Sequence, residues 1–148
     1  MRETVATAAL LLVVTACASA RDDRQQVRAT VEAVVSGLEH LDADATVAPF
    51  ADDATVFFPD SLGVPQRVEG KASIRDVFAR FFERVRTSGT TSMTLHAEDL
   101  RMDVAGDSAI VTFHLKGAIL SRRTFVLRRI GGVWRVVHLH ASNIRVTS

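Results

Sequence analysis

Gly132-Val133-Trp134-Arg135-Val136-Val137-His138-Leu139-His140-Ala141-Ser142 is rich in β-branched and aromatic residues and has no helical period. It reads as the body of a last strand, Val133 to Ile144. Successive side chains in a strand point to opposite faces. Trp134, Val136, His138 and His140 are therefore expected on one face, and Arg135, Val137, Leu139 and Ala141 on the other. Gly131-Gly132 supplies a tight hairpin turn to a preceding strand, Arg123 to Ile130. The same two-residue period holds further back. Ala109, Val111, Phe113 and Leu115 share one face, and Ile110, Thr112, His114 and Lys116 the other. Gly106-Asp107 turns the chain back to another alternating stretch around Leu95 to Asp99.

Upstream of Gly89 the period is helical. Val27, Val31, Val34, Val35, Leu38 and Leu41 recur at helix spacing, with Arg28, Glu32 and Glu39 opposite. Asp42-Ala43-Asp44 breaks that helix, and Asp44 is placed to cap a shorter one running to Phe50. Asp52-Asp53 reads as a turn, and Thr55 to Phe58 as a strand ended by Pro59. Asp60 to Gln66 is a loop, and Arg67-Val68-Glu69 a short strand. Gly70 opens a second amphipathic helix through Ile74, Val77, Phe78, Phe81, Phe82 and Val85, which Ser88-Gly89 closes. Helices early and strands late indicate an α+β domain, its N-terminal helices packed on a curved antiparallel sheet.

Three stretches, in this order, resemble SnoaL-like domains of the nuclear transport factor 2-like superfamily. Phe50-Ala51-Asp52-Asp53-Ala54-Thr55-Val56 resembles the start of their first strand. Val68-Glu69-Gly70-Lys71-Ala72-Ser73-Ile74 resembles the start of their helix, and Gly132 to Ser142 their C-terminal signature. That ending is also similar to the association domain of calcium/calmodulin-dependent kinase. The resemblance spans Arg24 to Ser148. It implies a cone-shaped roll with a pocket at the open end, and homodimers paired through the outer sheet faces. Members include isomerases, dehydratases, cyclases and non-catalytic binding modules, so the fold does not fix the chemistry.

Residue types narrow that choice. Ketosteroid-isomerase-like members use a carboxylate base near the end of the first strand and a tyrosine in an oxyanion hole. The base position falls at Phe58, and the chain has no tyrosine. Scytalone-dehydratase-like catalysis fails on the same absence. Asp60 is a displaced candidate base, or a solvated turn residue after Pro59. His138 and His140 are the leading candidates for proton transfer or ligand contact, since imidazole exchanges protons near neutral pH. The pair equally suits a structural role, bracing the sheet or an oligomer interface. A metal would need a third ligand such as His114 or His96, and the spacing does not bring one in, so no metal or cofactor is expected. In the kinase association domain an arginine follows the His-x-His pair and helps bind carboxylates; here that position is Ala141. Arg123 is a possible cation for a ligand. Trp134 is either a pocket wall or core, and Phe57 a possible cavity ring beside a mainly core set of phenylalanines. The function expected is binding of a small, largely apolar molecule in the cone. Its alternatives are a non-catalytic dimerisation module and a histidine-based isomerase or lyase.

The N-terminus reads separately. A thin basic start at Arg2 precedes an apolar run from Val5 to Val14, the pattern of a signal-peptide core. Val14-Thr15-Ala16-Cys17 resembles a bacterial lipobox, whose cysteine sulfur carries a diacylglycerol. Cys17 is the chain's one cysteine, so there is no intrachain disulfide. The alternative is ordinary cleavage after Ala18-Ser19-Ala20. Arg21-Asp22-Asp23-Arg24 marks a sharp change in composition, which divides the chain into a segment 1–20 and a domain 21–148. The expected location is the cell envelope, lipid-anchored at the membrane, or else soluble outside the cytoplasm. Lys and Arg number 18 against 17 Asp and Glu, a net +1, which gives nucleic acid no electrostatic footing.

Overall fold

The structure, a computed structural model, describes residues 5–64 and 66–144, with side chains from Arg21 onward. Helix α1 (Val5–Glu39) and the short helix α2 (Ala43–Val47) lead into strand β1 (Phe50–Phe57). A 3-10 turn (Asp60–Leu62) and strand β2 (Val68–Glu69) precede helix α3 (Lys71–Thr87). Four strands follow: β3 (His96–Ala105), β4 (Ser108–Lys116), β5 (Leu120–Ile130) and β6 (Val133–Asn143). They form one open six-stranded sheet in the order β2-β1-β6-β5-β4-β3. This is the α+β cone, with the helices packed in the concavity of the sheet.

The sheet is mixed rather than purely antiparallel, which corrects the sequence expectation. β3 to β6 are joined by short turns and must alternate in direction. β1 reaches β6 only through the rest of the chain, so no hairpin fixes its direction, and the pair is parallel. Three register shifts bend the sheet: in β1 between Phe50 and Thr55, in β3 between Glu98 and Arg101, and in the β5–β6 ladder. Extra residues on one strand raise its local twist and curl it around whatever it covers. Asp52-Asp53, expected as a turn, is the exposed part of the first of these irregularities, within β1.

Helix α1 buries Val27, Val31 and Val34, as its apolar period requires. It continues without a break through Arg21 to Arg24. No glycine or proline occurs from Val5 to Ser36, so a change in polarity alone does not stop it. Cys17 and its lipobox neighbours lie outside the described side chains. Among the described residues no helix is long and apolar enough to cross a membrane. The helix ends with Leu41 in the left-handed region, φ 56°. The Asp42 amide donates to the Gly37 carbonyl and the Leu41 amide to the Leu38 carbonyl, which satisfies two terminal carbonyls. Burial of the Leu41 side chain, 1% exposed, offsets the strain of that conformation.

Asp42, not Asp44, caps α2; its carboxylate accepts from the Ala45 amide at 2.9 Å. Asp44 instead pairs with Arg75, which ties α2 to α3. From α3, Ile74, Val77, Phe78 and Phe82 point inward. They meet Val111, Phe113, Phe125 and Leu127 from the concave face of the sheet. The alternation expected for β4 is observed: Ala109, Val111, Phe113 and Leu115 are buried.

Candidate functional site

The decisive local feature lies in β6. Opposite it on β5, Val126 pairs with His138 while the next residue, Leu127, pairs with Val136. Val137 is the extra residue of a bulge. Trp134 and Val136 before it face the core, and so do Leu139 and Ala141 after it. His138 is only partly buried and His140 is exposed. The expected common face of Trp134, Val136, His138 and His140 is therefore split, because the bulge shifts the alternation by one residue. A signal for this is present in the sequence. Polar residues at 135, 138, 140 and 142 keep one phase only if two positions, Val136 and Val137, separate the first from the second.

The two histidines sit with β1 on the side of the sheet away from the core. His138 Nδ1 lies 2.7 Å from Thr55 Oγ1, and the Phe57 ring packs 5.9 Å from each imidazole. Burial, then the nearby His140 and Arg67 charges, hold the His138 pKa below its ordinary value, so the ring is neutral at neutral pH. His114 projects from β4 between Glu98 of β3 and Arg122 of β5. Among the described residues no three His, Cys, Asp or Glu side chains cluster as metal ligands would. Trp134 is core, 3% exposed, with the Arg129 guanidinium 4.8 Å above its ring. Arg129 also joins Asp23 of α1 to Asp107 in the β3–β4 turn.

The cavity lies on the other side, between the concave sheet face and the helices, with a volume of about 460 Å³. Val35 and Leu38 of α1 and Phe78, Phe81 and Val85 of α3 form one wall. Phe113, Leu115, Phe125, Leu139 and Ala141 form the sheet wall. Leu62 and Ile119 come from the loops. Phe58 closes the end of β1, edge-on to Phe78 at 5.2 Å. Phe58, the position where the resemblance to ketosteroid isomerases would place a carboxylate, presents a phenyl ring to the cavity. Asp60 opens the 3-10 turn, exposed, and does not line the cavity, whereas its neighbour Ser61 does.

Of the ligand candidates read from the sequence, Arg123 alone lines this cavity; Trp134, His138, His140, His114 and Phe57 do not. Arg123 follows from β5 parity, since Ser121, Arg123, Phe125 and Leu127 share the inward face. Its Nη1 donates to the Arg122 carbonyl at 3.0 Å, and among the described residues no carboxylate pairs with it. Burial pushes its pKa down to about 10, which still leaves it charged at neutral pH. Ser121 donates to the Leu115 carbonyl at 3.0 Å, and Asn143 Nδ2 to Ser61 Oγ at 2.9 Å. Arg84 also belongs to the lining and is exposed to solvent. Ser61, Ser121 and Asn143 are lining residues that the sequence patterns do not single out. Only the strand phase after Val137 could have pointed to the last of them.

Comparison with known proteins agrees with this architecture. A search of curated proteins finds no match. Among solved structures, an NTF2-like protein with a cystatin-like fold from Novosphingobium aromaticivorans superposes with TM-score 0.70 at 16% identity. That match covers 100% of this chain and 94% of the other. A Streptomyces avermitilis protein, described provisionally as a dehydratase of the NTF2-like family, gives 0.68 at 18% identity, covering 85% and 99%. A Parabacteroides distasonis protein, described provisionally as a ketosteroid isomerase, gives 0.60 at 20%, covering 78% and 85%. At these identities the likeness is one of fold. The profile of the SnoaL-like domain matches residues 27–146, the helices, cavity and bulged strand described above, and the chain belongs to the SnoaL-like domain family.

Proposed function

We propose that this domain holds one small, largely apolar molecule inside its cone. The cavity carries the reading. At about 460 Å³ it falls within the range of roughly 300–1,000 Å³ common for ligand sites, and rings and aliphatic side chains dominate its walls. The described lining residues include no carboxylate and no imidazole. Proton transfer by a side chain, the chemistry of an isomerase or dehydratase, has no base there. Binding is therefore favoured over turnover, although several structural neighbours, the two named above among them, carry provisional enzyme names. A test is amide and methyl NMR of the protein titrated with a panel of neutral aromatic and alicyclic compounds. Saturable shifts centred on Phe113, Leu115 and Leu139 are expected. Saturation by no compound, or shifts confined to the His138 face, would contradict the reading.

A homodimer through the outer sheet face is compatible with this and draws on a separate observation. Ile110 is 49% exposed on β4, and Phe57 is 36% exposed beside the two histidines. Exposed apolar side chains on a sheet face suit pairing. Sedimentation that gives a monomer at every concentration would remove this proposal.

We also propose export and lipid anchoring through Cys17. Support comes from the apolar run Val5 to Val14 and from Val14-Thr15-Ala16-Cys17 around the one cysteine. Two or more acyl chains would make such an anchor stable. Metabolic labelling with a palmitate analogue in a bacterial host should mark the protein and fail for Cys17→Ser. An unlabelled protein with a mature N-terminus at Arg21 would instead mean ordinary secretion.

A further inference from the structure

The cavity has one feature that an apolar ligand leaves unexplained. A guanidinium half-buried in the wall of an apolar cavity loses part of its hydration, and a carbonyl alone, here that of Arg122, recovers less of that loss than a carboxylate would. Arg123 has no carboxylate partner among the described residues. It is also not turned away from the cavity. On β5 it stands between inward-facing Ser121 and Phe125, opposite Phe113 of β4 and Ala141 of β6. The methyl of Ala141 leaves space beside it, where a larger side chain would fill the cavity.

The polar atoms nearby have the matching character. Asn143 donates to Ser61 Oγ, so the Ser61 hydroxyl proton is available to an acceptor in the cavity. Ser61, Ser121, Asn143 and Arg123 all line the space, and Arg84 adds a second positive charge to its lining. The lining thus offers cations and donors with no anion among its described residues.

We infer that the ligand is an amphipathic monocarboxylate, its carboxylate on Arg123 and its apolar body against Phe78, Phe81 and Phe113. The inference rests on the cavity-binding reading above and specifies its ligand class. A carboxylate suits a guanidinium because two parallel N–H···O bonds fit the planar fork. A monoanion fits the one half-buried cation of the lining. A phosphate dianion would bring a second charge into walls whose other cation, Arg84, stands exposed to solvent.

The test is calorimetric titration of the full chain at neutral pH with octanoate, octanol and octylammonium. Octanoate should bind about tenfold tighter than octanol, and octylammonium should not bind. In Arg123→Met the octanoate affinity should fall to that of octanol, while octanol binds as well as before. Arg123→Lys, which keeps the charge without the fork, should retain part of the preference. It also guards against misfolding of the methionine variant. Equal binding of octanoate and octanol by the native chain, or an octanoate affinity indifferent to Arg123→Met, overturns the carboxylate inference and leaves the cavity reading in place. If neither octanoate nor octanol binds, the cavity reading fails and this inference with it.

Discussion

Phe82→Ala should cost the domain about 3–5 kcal/mol, a large share of the roughly 5–15 kcal/mol that holds a domain of this kind folded. The phenyl ring is fully buried on the inner face of α3, with ring centres 5.8 Å from Phe78 and 5.6 Å from Phe81. It does not line the ligand cavity, and with no surface exposed its removal leaves a void in the packed core beneath α2 and α3. Phe81, one residue earlier, is only partly buried and does face the cavity. Its truncation enlarges a space that already exists, and should cost about 1–2 kcal/mol while weakening ligand binding. Urea denaturation of the two variants reads the difference. Equal losses would mean that the cavity is not preformed, or that the two rings have exchanged roles.

Gly37→Ala should destabilise by about 2–3 kcal/mol, although alanine is the better helix former by about 1 kcal/mol. Gly37 is buried near the end of α1, where α2 crosses it closely. A Cβ there would stand 2.5 Å from the Thr46 amide nitrogen and 2.6 Å from Thr46 Cα. The obstacle is backbone, and no side-chain rotation relieves it. Thr46 is held in turn by its bond to the Asp42 carbonyl and by the Asp42 cap on α2. The helices must separate, which disturbs the contact of Leu41 and Val47 with the core. A denaturation midpoint unchanged or raised in Gly37→Ala would show that the crossing is looser than the structure has it.

Much of this fold is legible from periodicity. The apolar stripe from Val27 to Leu41, the second from Ile74 to Val85 and the alternation from Ala109 to Leu115 each turn inward the residues their spacing selects, most of them buried and Val35, Leu38, Phe81 and Val85 partly so at the cavity. What failed was non-local or irregular. The parallel pairing of β1 with β6 depends on contacts between Thr55 and His138 that no local pattern encodes. A left-handed Leu41 is stabilised by tertiary burial, which sequence rules favouring glycine do not anticipate.

The faces of β6 depart from simple alternation at one residue, Val137. Uniform alternation through Val136-Val137 put His138 and His140 with Trp134, whereas the bulge puts Leu139 and Ala141 on the core side in their place. Arg123, expected as a cation for a ligand, lines the cavity because β5 beside it is regular enough for parity to hold.

The most direct test of the account is a fluorescence titration with the neutral probe N-phenyl-naphthylamine. It compares the native chain with Ala141→Trp, which fills the cavity, and with the double variant His138→Gln/His140→Gln, which alters the opposite face. The cavity account predicts saturable binding by the native chain and the histidine variant alike, and its loss in Ala141→Trp. Binding that survives Ala141→Trp but disappears with the histidines would contradict it and move the site to the outer face of the sheet.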